Sequence, residues 1–447
     1  RSSSGNYPMT ILQVGNGGKY DIVATKISAN GSSIIGSVKI GGVDDDGVNI
    51  RGKYNAPDGT DVTRRNYGDD ARSEVIIDAG GNILVASSTQ SSGAESSGGF
   101  PIRNSAIQTT FGGGRQDGVI LKFSPNLNAV LFSTYFGGSA DDACFVLSQN
   151  PLTGNIYVAG GTNSSNLPGD KTGVLQGTYA GGQVDGFVTQ ILNDGSAIVK
   201  TTYQGTVGND LVYGIQFDKA GFPYIMGTTS GNWTVVNAVF SNPGSKQFIS
   251  KMQPDLSAYV YSTVFGTNTG NAGPPNLSPT AFLVDRCQNV YVSGWGGGIN
   301  ALRGYPTAGT LGMPEVGQLS GLPAADGSDF YFFVLEKNAQ SQLFGSHFGH
   351  NGGNIGEHVD GGTSRFDDNG IVYQALCSCH DGGGPFPTTP GVWSRTNNSI
   401  ACNEAAVKIE MNFAGVDASV KATVNGVIDT IGCVPLTIRF TDTLAMG

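Results

Sequence analysis

An internal repeat constrains this chain more than any other feature. One segment recurs six times, as Asp21-IVATK, Asp117-GVILK, Asp185-GFVTQ, Lys246-QFISK, Asp329-FYFFV and Asn403-EAAVK. A second follows the first five copies after a short turn: Ile35-GSVKIGG, Leu131-FSTYFGG, Val199-KTTYQGT, Val260-YSTVFGT and Leu343-FGSHFGH. A third is a hairpin, seen as Glu74-VIIDAGGNILVAS, Cys144-FVLSQNPLTGNIYVAG, Ile215-QFDKAGFPYIMG, Ala281-FLVDRCQNVYVSG and Thr363-SRFDDNGIVYQA. The hairpin turns carry Asp78, Asp218, Asp285 and Asp367, whose side chains close Asx-turns. No segment shows apolar residues at i, i+3, i+4, i+7 over three turns, so helices are not expected. Four short antiparallel strands per unit, repeated, predict an all-β protein, a β-propeller of four-stranded blades.

We call the hairpin strands A and B and the other two C and D. Strand A is expected to line the channel. Each sheet packs on the next, so neighbouring blades share their cores. Composition agrees. Of 447 residues 69 are Gly, about twice the usual ~7%. Charged residues are 13% against a typical ~25%, as expected of blades buried on both faces. The net charge of −10 argues against nucleic acid as a partner. No apolar run reaches the ~18 residues of a membrane-spanning helix.

The A–B and C–D turns are short, whereas the B–C links are long: 89–115, 161–184, 295–327 and 377–402. The D–A link 42–72 is long too. B–C and D–A connections emerge on one face of an antiparallel blade, so that face is built of irregular loops, where binding residues tend to sit. The start of the chain resembles a B–C link whose A and B strands lie upstream. Asn403–Met411 is a C strand with no clear D strand after it. The chain therefore reads as part of a longer polypeptide, with six or seven blades once upstream residues are counted. Alternatively, the N-terminal C and D strands complete the last A–B hairpin, which makes five blades and leaves the strand at Asn403 unplaced.

The pattern D-x-F-V-x-K, L-x-Y-S-T-Y-x-G-G and G-N-V-Y-V-x-G-x-T-N-S resembles the SBBP-type β-propeller repeat over residues 1–412, best at Asp117 to Asn163 and at Pro385-FPTTPGVW. The copies at Lys246 and Asn403 depart from its leading Asp. Residues 413–447 contain Gly432-CVPLTIRFTDT, which resembles the first strands of a PKD domain, an immunoglobulin-like β-sandwich cut short here. The combination is similar to large bacterial surface proteins exported by the type IX secretion system and linked to gliding motility or adhesion. The resemblance implies an extracellular or cell-surface location, with other surface proteins or extracellular glycans as partners.

Chemistry-bearing residues concentrate late in the chain. All four histidines lie between His347 and His380, with Cys377, Cys379, Asp360 and Asp381 among them. His350, His358, Asp360 and His380 are the metal candidates, although Cys-x-Cys with scattered His is not a standard zinc spacing. The plain alternative is a loop cluster stapled by a disulfide. In an oxidising compartment, Cys402 with Cys377 or Cys379 closes the loop containing Pro385-FPTTPG. Cys144 and Cys287 are expected to be buried thiols, and Cys433 to pair downstream. Acidic turns at Asp44-DDG, Asp141–Asp142 and Asn209–Asp210 suit calcium as a cofactor, though Asp and Asn are also ordinary turn formers. No G-x-S-x-G, H-E-x-x-H or P-loop is present. Glu357 and Asp360 beside His358 are the one cluster worth testing for carboxylate catalysis. Trp233, Trp295 and Trp393 can stack sugars on the loop face or plug gaps between blades. The expected protein is a non-enzymatic extracellular display module. The alternative is a carbohydrate-active enzyme or a glycan-binding lectin.

Overall fold

A computed structural model describes the chain apart from residues 51–71, 105–106, 268–272, 298–306, 353–354, 360–364, 380–382, 401, 412, 414–419, 425–426, 429–437 and 443–447. Four sheets have four antiparallel strands in sequential order. Blade I comprises β3 (Glu74–Ile77), β4 (Ile83–Thr89), β5 (Asp117–Phe123) and β6 (Val130–Phe136). Blade II comprises β7 (Asp142–Gln149), β8 (Ile156–Thr162), β9 (Asp185–Ile191) and β10 (Ile198–Gln204). Blade III comprises β11 (Asp210–Phe217), β12 (Pro223–Thr229), β13 (Gln247–Met252) and β14 (Tyr259–Phe265). Blade IV comprises β15 (Ser278–Val284), β16 (Val290–Trp295), β17 (Phe330–Leu335) and β18 (Gln342–Phe348). Blade V has three strands among the described residues: β19 (Arg365–Phe366), β20 (Ile371–Cys379) and β21 (Cys402–Glu410). An N-terminal pair, β1 (Ile22–Ile27) and β2 (Ile34–Ile40), packs on the face of blade I opposite the one that meets blade II. Near the C-terminus β22 (Val420–Val424), β23 (Val427–Ile428) and β24 (Ile438–Asp442) form a small sheet of their own.

The innermost strands are the A strands, as expected. β3 packs on β7, β7 on β11, β11 on β15 and β15 on β19, and Arg365 of β19 is ion-paired with Glu74 of β3. The ring therefore has five blades, a correction to the expected six or seven. Each repeat specifies one blade. The number that closes a ring depends on the angle between packed sheets, which follows from side-chain volumes on two facing surfaces. The strand at Asn403 is the third strand of blade V, with Asn403 opposite Ser378, so β1–β2 do not complete the last hairpin by pairing with it.

The A strands share an irregularity. The register slips between Cys144 and Val146, between Val212 and Gly214, and between Pro279 and Ala281. The β-bulge leaves Phe145, Tyr213 and Thr280 unpaired, and beside the last of these the strand tolerates Pro279, which has no N–H. In blade I the same place holds an insertion. Asp46 bridges Thr89 and Glu74 pairs with Ala86, just as Asp142 pairs with Thr162 and Val146 with Ala159. The stretch 42–72 is thus not simply a D–A link, because Asp46 and Gly47 bond to β4 above the bulge, where the other blades have their innermost strand.

Apolar clusters join neighbouring blades. Phe145 stacks on Tyr213 at 5.6 Å, Phe265 on Phe333 at 4.3 Å, and Phe136 packs against Phe187 at 5.1 Å. The turn aspartates close the A–B hairpins: Asp78 Oδ1 accepts from Gly80 and Asn82, Asp218 Oδ1 from Ala220 and Phe222, and Asp367 Oδ1 from Asn369 and Ile371. Two of them reach further. Lys122, the last residue of the D-x-V-x-L-K pattern, is ion-paired with Asp78 at 3.0 Å, and Lys251 with Asp218 at 2.8 Å. These pairs tie strand C to the A–B turn across strand B.

Candidate functional site

The axis is occupied by charge. Arg72, two residues before β3, donates to the carbonyl of Tyr213 at 2.7 Å and that of Pro279 at 3.0 Å, and its guanidinium lies 4.7 Å from the Tyr213 ring centroid. One buried arginine thus bridges blades I, III and IV. Burial and then the nearby Arg72 charge lower the pKa of Arg365. Neither arginine stands out in the sequence: Arg72 lies outside the repeated motifs, and Arg365 sits at a position of the hairpin motif where the other copies carry no arginine.

The loop face is most elaborate over blades IV and V. Cys379 and Cys402 form a disulfide at directly opposed positions of β20 and β21, one of the two pairings expected. The bridge closes the base of the loop 380–401. Phe386 anchors that loop by packing edge-on to Phe348 at 5.6 Å. Beyond it Trp393 and Ile400 are fully exposed. An open groove of about 480 Å³ runs between this loop and the neighbouring B–C link, lined by Leu322, Pro323, Phe386, Pro387, Thr388 and Arg395 among others.

The other tryptophans are structural. Trp233 is buried, stacks on Phe248 at 3.6 Å and donates its indole N–H to Ser262 at 2.9 Å. Trp295 ends β16, is 1% exposed and lies 5.7 Å from the His358 ring. Trp233 packs on blade III and Trp295 between blades IV and V, so of the three only Trp393 is fully exposed. Cys144 is buried as expected, but Cys287 is exposed. It sits in an A–B turn, two residues past Asp285, where the chain bends away from the sheet.

Below the loops lies a buried polar cluster. His350 donates from Nδ1 to Glu357 Oε1 at 2.6 Å, and its backbone N–H points to the same carboxylate. Glu357 Oε2 and Asp329 Oδ1 both lie close to Gly349. Burial, then the Asp326 charge, pushes the Asp329 pKa up to about 6. His358 bridges Cys377 through the backbone and donates from Nδ1 to the carbonyl of Gly356 at 3.2 Å. With Cys379 oxidised, its sulfur is no thiolate ligand. Asp360, His380 and Asp381 lie outside the described residues. Among the described residues, no group of three or more His, Cys, Asp or Glu converges on a common point.

The expected calcium residues are engaged at the D–A corners. Asp141 pairs with Arg115 at 2.6 Å and accepts its backbone N–H at 2.7 Å. Asn209 accepts from the Gln183 N–H at 2.8 Å. Asp142 takes Thr162 Oγ1, Ser164 Oγ at 2.9 Å and the Gly138 N–H at 2.7 Å. Asp210 takes the backbone N–H and the hydroxyl of Thr206 at 2.6 and 2.9 Å. The sequence did not indicate that the leading Asp of each C strand faces these residues from the preceding blade.

The fold and site together define a five-bladed β-propeller with a disulfide-pinned loop on its irregular face. No family model and no curated protein matches the chain. Among solved structures it is similar to the NanB sialidase of Streptococcus pneumoniae, at 9% identity and TM-score 0.40, covering 88% of this chain and 64% of that one. It is also similar to a family 43 β-1,3-galactosidase, at 9% identity and TM-score 0.30, covering 75% and 55%. A family 43 arabinoxylan arabinofuranohydrolase from Bacillus subtilis follows, at 10% identity and TM-score 0.31, covering 73% and 63%. The chain therefore spans less than two thirds of each of these proteins.

Proposed function

We propose that this propeller is an extracellular glycan-binding module, with the loop between Cys379 and Cys402 as its contact surface. The observation that carries the reading is Trp393, whose side chain is entirely exposed on a loop whose base is covalently fixed. A rigidly presented indole offers a flat apolar face at low entropic cost, which suits the faces of sugar rings. Arg395 and Thr388 in the adjoining groove supply hydrogen-bond donors for hydroxyl or carboxyl substituents. The disulfide also favours an oxidising compartment, in keeping with a secreted protein of the SBBP and PKD type, residues 1–412 forming the display disc. Binding to a glycan array, followed by titration of the best ligand, tests this. Trp393→Ala is expected to weaken binding at least ~10-fold, as loss of a hot-spot aromatic does, without changing Tm. Unchanged affinity in that variant rejects the assignment.

A carbohydrate-active enzyme is the second reading, favoured by the buried Asp329, Glu357 and His350 beneath the loop face. It requires substrate to reach Glu357, which is 1% exposed. Hydrolysis of a polysaccharide panel that Glu357→Gln abolishes would establish it over simple binding.

A further inference from the structure

The D–A corners repeat one arrangement. The residue that opens or immediately precedes the C-position strand is an aspartate without exposed surface: Asp117 in blade I, Asp185 in blade II and Asp329 in blade IV. Each accepts one good hydrogen bond, from the Gly112 N–H at 2.6 Å, the Ala180 N–H at 2.6 Å and the Thr310 hydroxyl at 3.0 Å respectively. In each, Oδ1 is buried without a hydrogen-bond partner. A second acid faces it from the following segment. A Cβ placed on Gly137 would lie 2.2 Å from Asp117 Oδ1 and 2.9 Å from Asp142 Oδ2, and one on Gly349 would lie 2.6 Å from Asp329 Oδ1 and 2.4 Å from Glu357 Oε2. In blade II a Cβ on Gly205 would lie 2.4 Å from Asp185 Oδ1, and Asp210 Oδ2 accepts the Thr206 N–H at 2.6 Å as Asp142 Oδ2 accepts that of Gly138 at 2.7 Å, so this corner repeats the first.

Elsewhere the protein supplies a positive group at this place. Asp21 faces Asp46 across Gly41, and Lys39 Nζ lies 2.8 Å from Asp21 Oδ2. His350 sits on Glu357 at 2.6 Å. In blade III both acids are gone together, because Lys246 occupies the leading position and Ser278 that of the second acid. The two remaining corners, Asp117–Asp142 and Asp185–Asp210, have no cation on the leading aspartate's Oδ1 among the described residues. Arg115 is spent on Asp141, and Lys246, though near Asp210, donates to the carbonyl of Gly231 at 2.7 Å.

We propose that Asp117 with Asp142, and Asp185 with Asp210, each bind a calcium ion. Buried carboxylates facing one another need a counter-charge, and the unpartnered Oδ1 atoms of Asp117 and Asp185 present oxygen donors, which suit a hard cation. The carbonyls of Gly137 and Gly138 converge on the same corner, within 2.8 Å of the Cβ position at Gly112. A proton is the competing counter-charge. It would have to be donated by Asp117 to Asp142 Oδ2, which already accepts from Gly138 and Ser164. The other groups facing the first pair are Tyr135 of β6, Cys144 of β7, Tyr203 of β10, Tyr179 and Asp141, none of them a cation. Two carboxylates per site suggest affinities on the order of 10⁻⁴–10⁻³ M, as in extracellular modules.

The test uses the whole chain, stripped with chelator and returned to millimolar calcium slightly above neutral pH. Expected are two calcium ions per chain by equilibrium dialysis and a rise in Tm on calcium addition. Asp117→Asn and Asp185→Asn each remove one ion, and Lys246→Met removes none. The wild-type measurements decide the matter if a variant fails to fold. Absence of bound calcium, with a Tm that falls as pH rises through neutrality whatever the calcium, would overturn the proposal in favour of a shared proton.

Discussion

The repeated ion pairs between turn and strand show what a single residue contributes. Burial works against the Asp78 carboxylate, but hydrogen bonds from Asn82 and Lys122 outweigh it and hold the pKa below its ordinary value. A depressed folded-state pKa gives stability that is present above the unfolded value of about 3.9 and lost as pH falls through the folded one. Asp78→Asn is therefore expected to cost about 2 kcal/mol or more at neutral pH, because it leaves Lys122 buried and underpaired. The difference from wild type should shrink below about pH 4, as chemical denaturation across pH would show. The aspartate was legible in the sequence as a turn former. Its lysine partner recurs there at the end of strand C, but only the register across strand B puts the two together.

At the scale of elements, the strands were readable because alternation and turn residues agree over short distances. The inner strand of blade I was not. Its upper part, at Asp46–Gly47, is separated from β3 by an insertion at the bulge, so the sequence there resembles a long link. The tryptophans were ambiguous for a related reason: whether an indole is covered or faces solvent is decided by how its loop folds back on the sheets. Trp233 folds onto Phe248 and two serine hydroxyls of blade III, whereas Trp393 lies fully exposed on the loop beyond the disulfide. That loop depends on its staple. Replacing Cys379 and Cys402 together by Ser is expected to lower stability by about 3 kcal/mol at most, given their separation of 23 residues. Limited proteolysis should then cut first within 380–401, and glycan affinity should fall as the indole loses its fixed position.

At the scale of the molecule, the joints between blades are unequal. Shared apolar clusters join blades I and II, blades II, III and IV, and blades IV and V. No such cluster joins blade V to blade I or to β1–β2 among the described residues, and Arg365 with Glu74 spans that junction. Arg365→Ala is expected to speed hydrogen exchange throughout β19–β21 while sparing blade III. Arg103→Ala, which removes the half-exposed Glu95 pair, should change stability by no more than ~1 kcal/mol. Blade number was hidden from the sequence at this same joint, because a ring's closure is a property of contacts between distant segments.

The five-wedge disc thus has one joint that is pinned by charge rather than cemented by hydrocarbon. Under tension between β1–β2 and blade V, strain concentrates there. The ring yields like a clasp, releasing blade V at a force that falls with ionic strength, while the four cemented wedges hold.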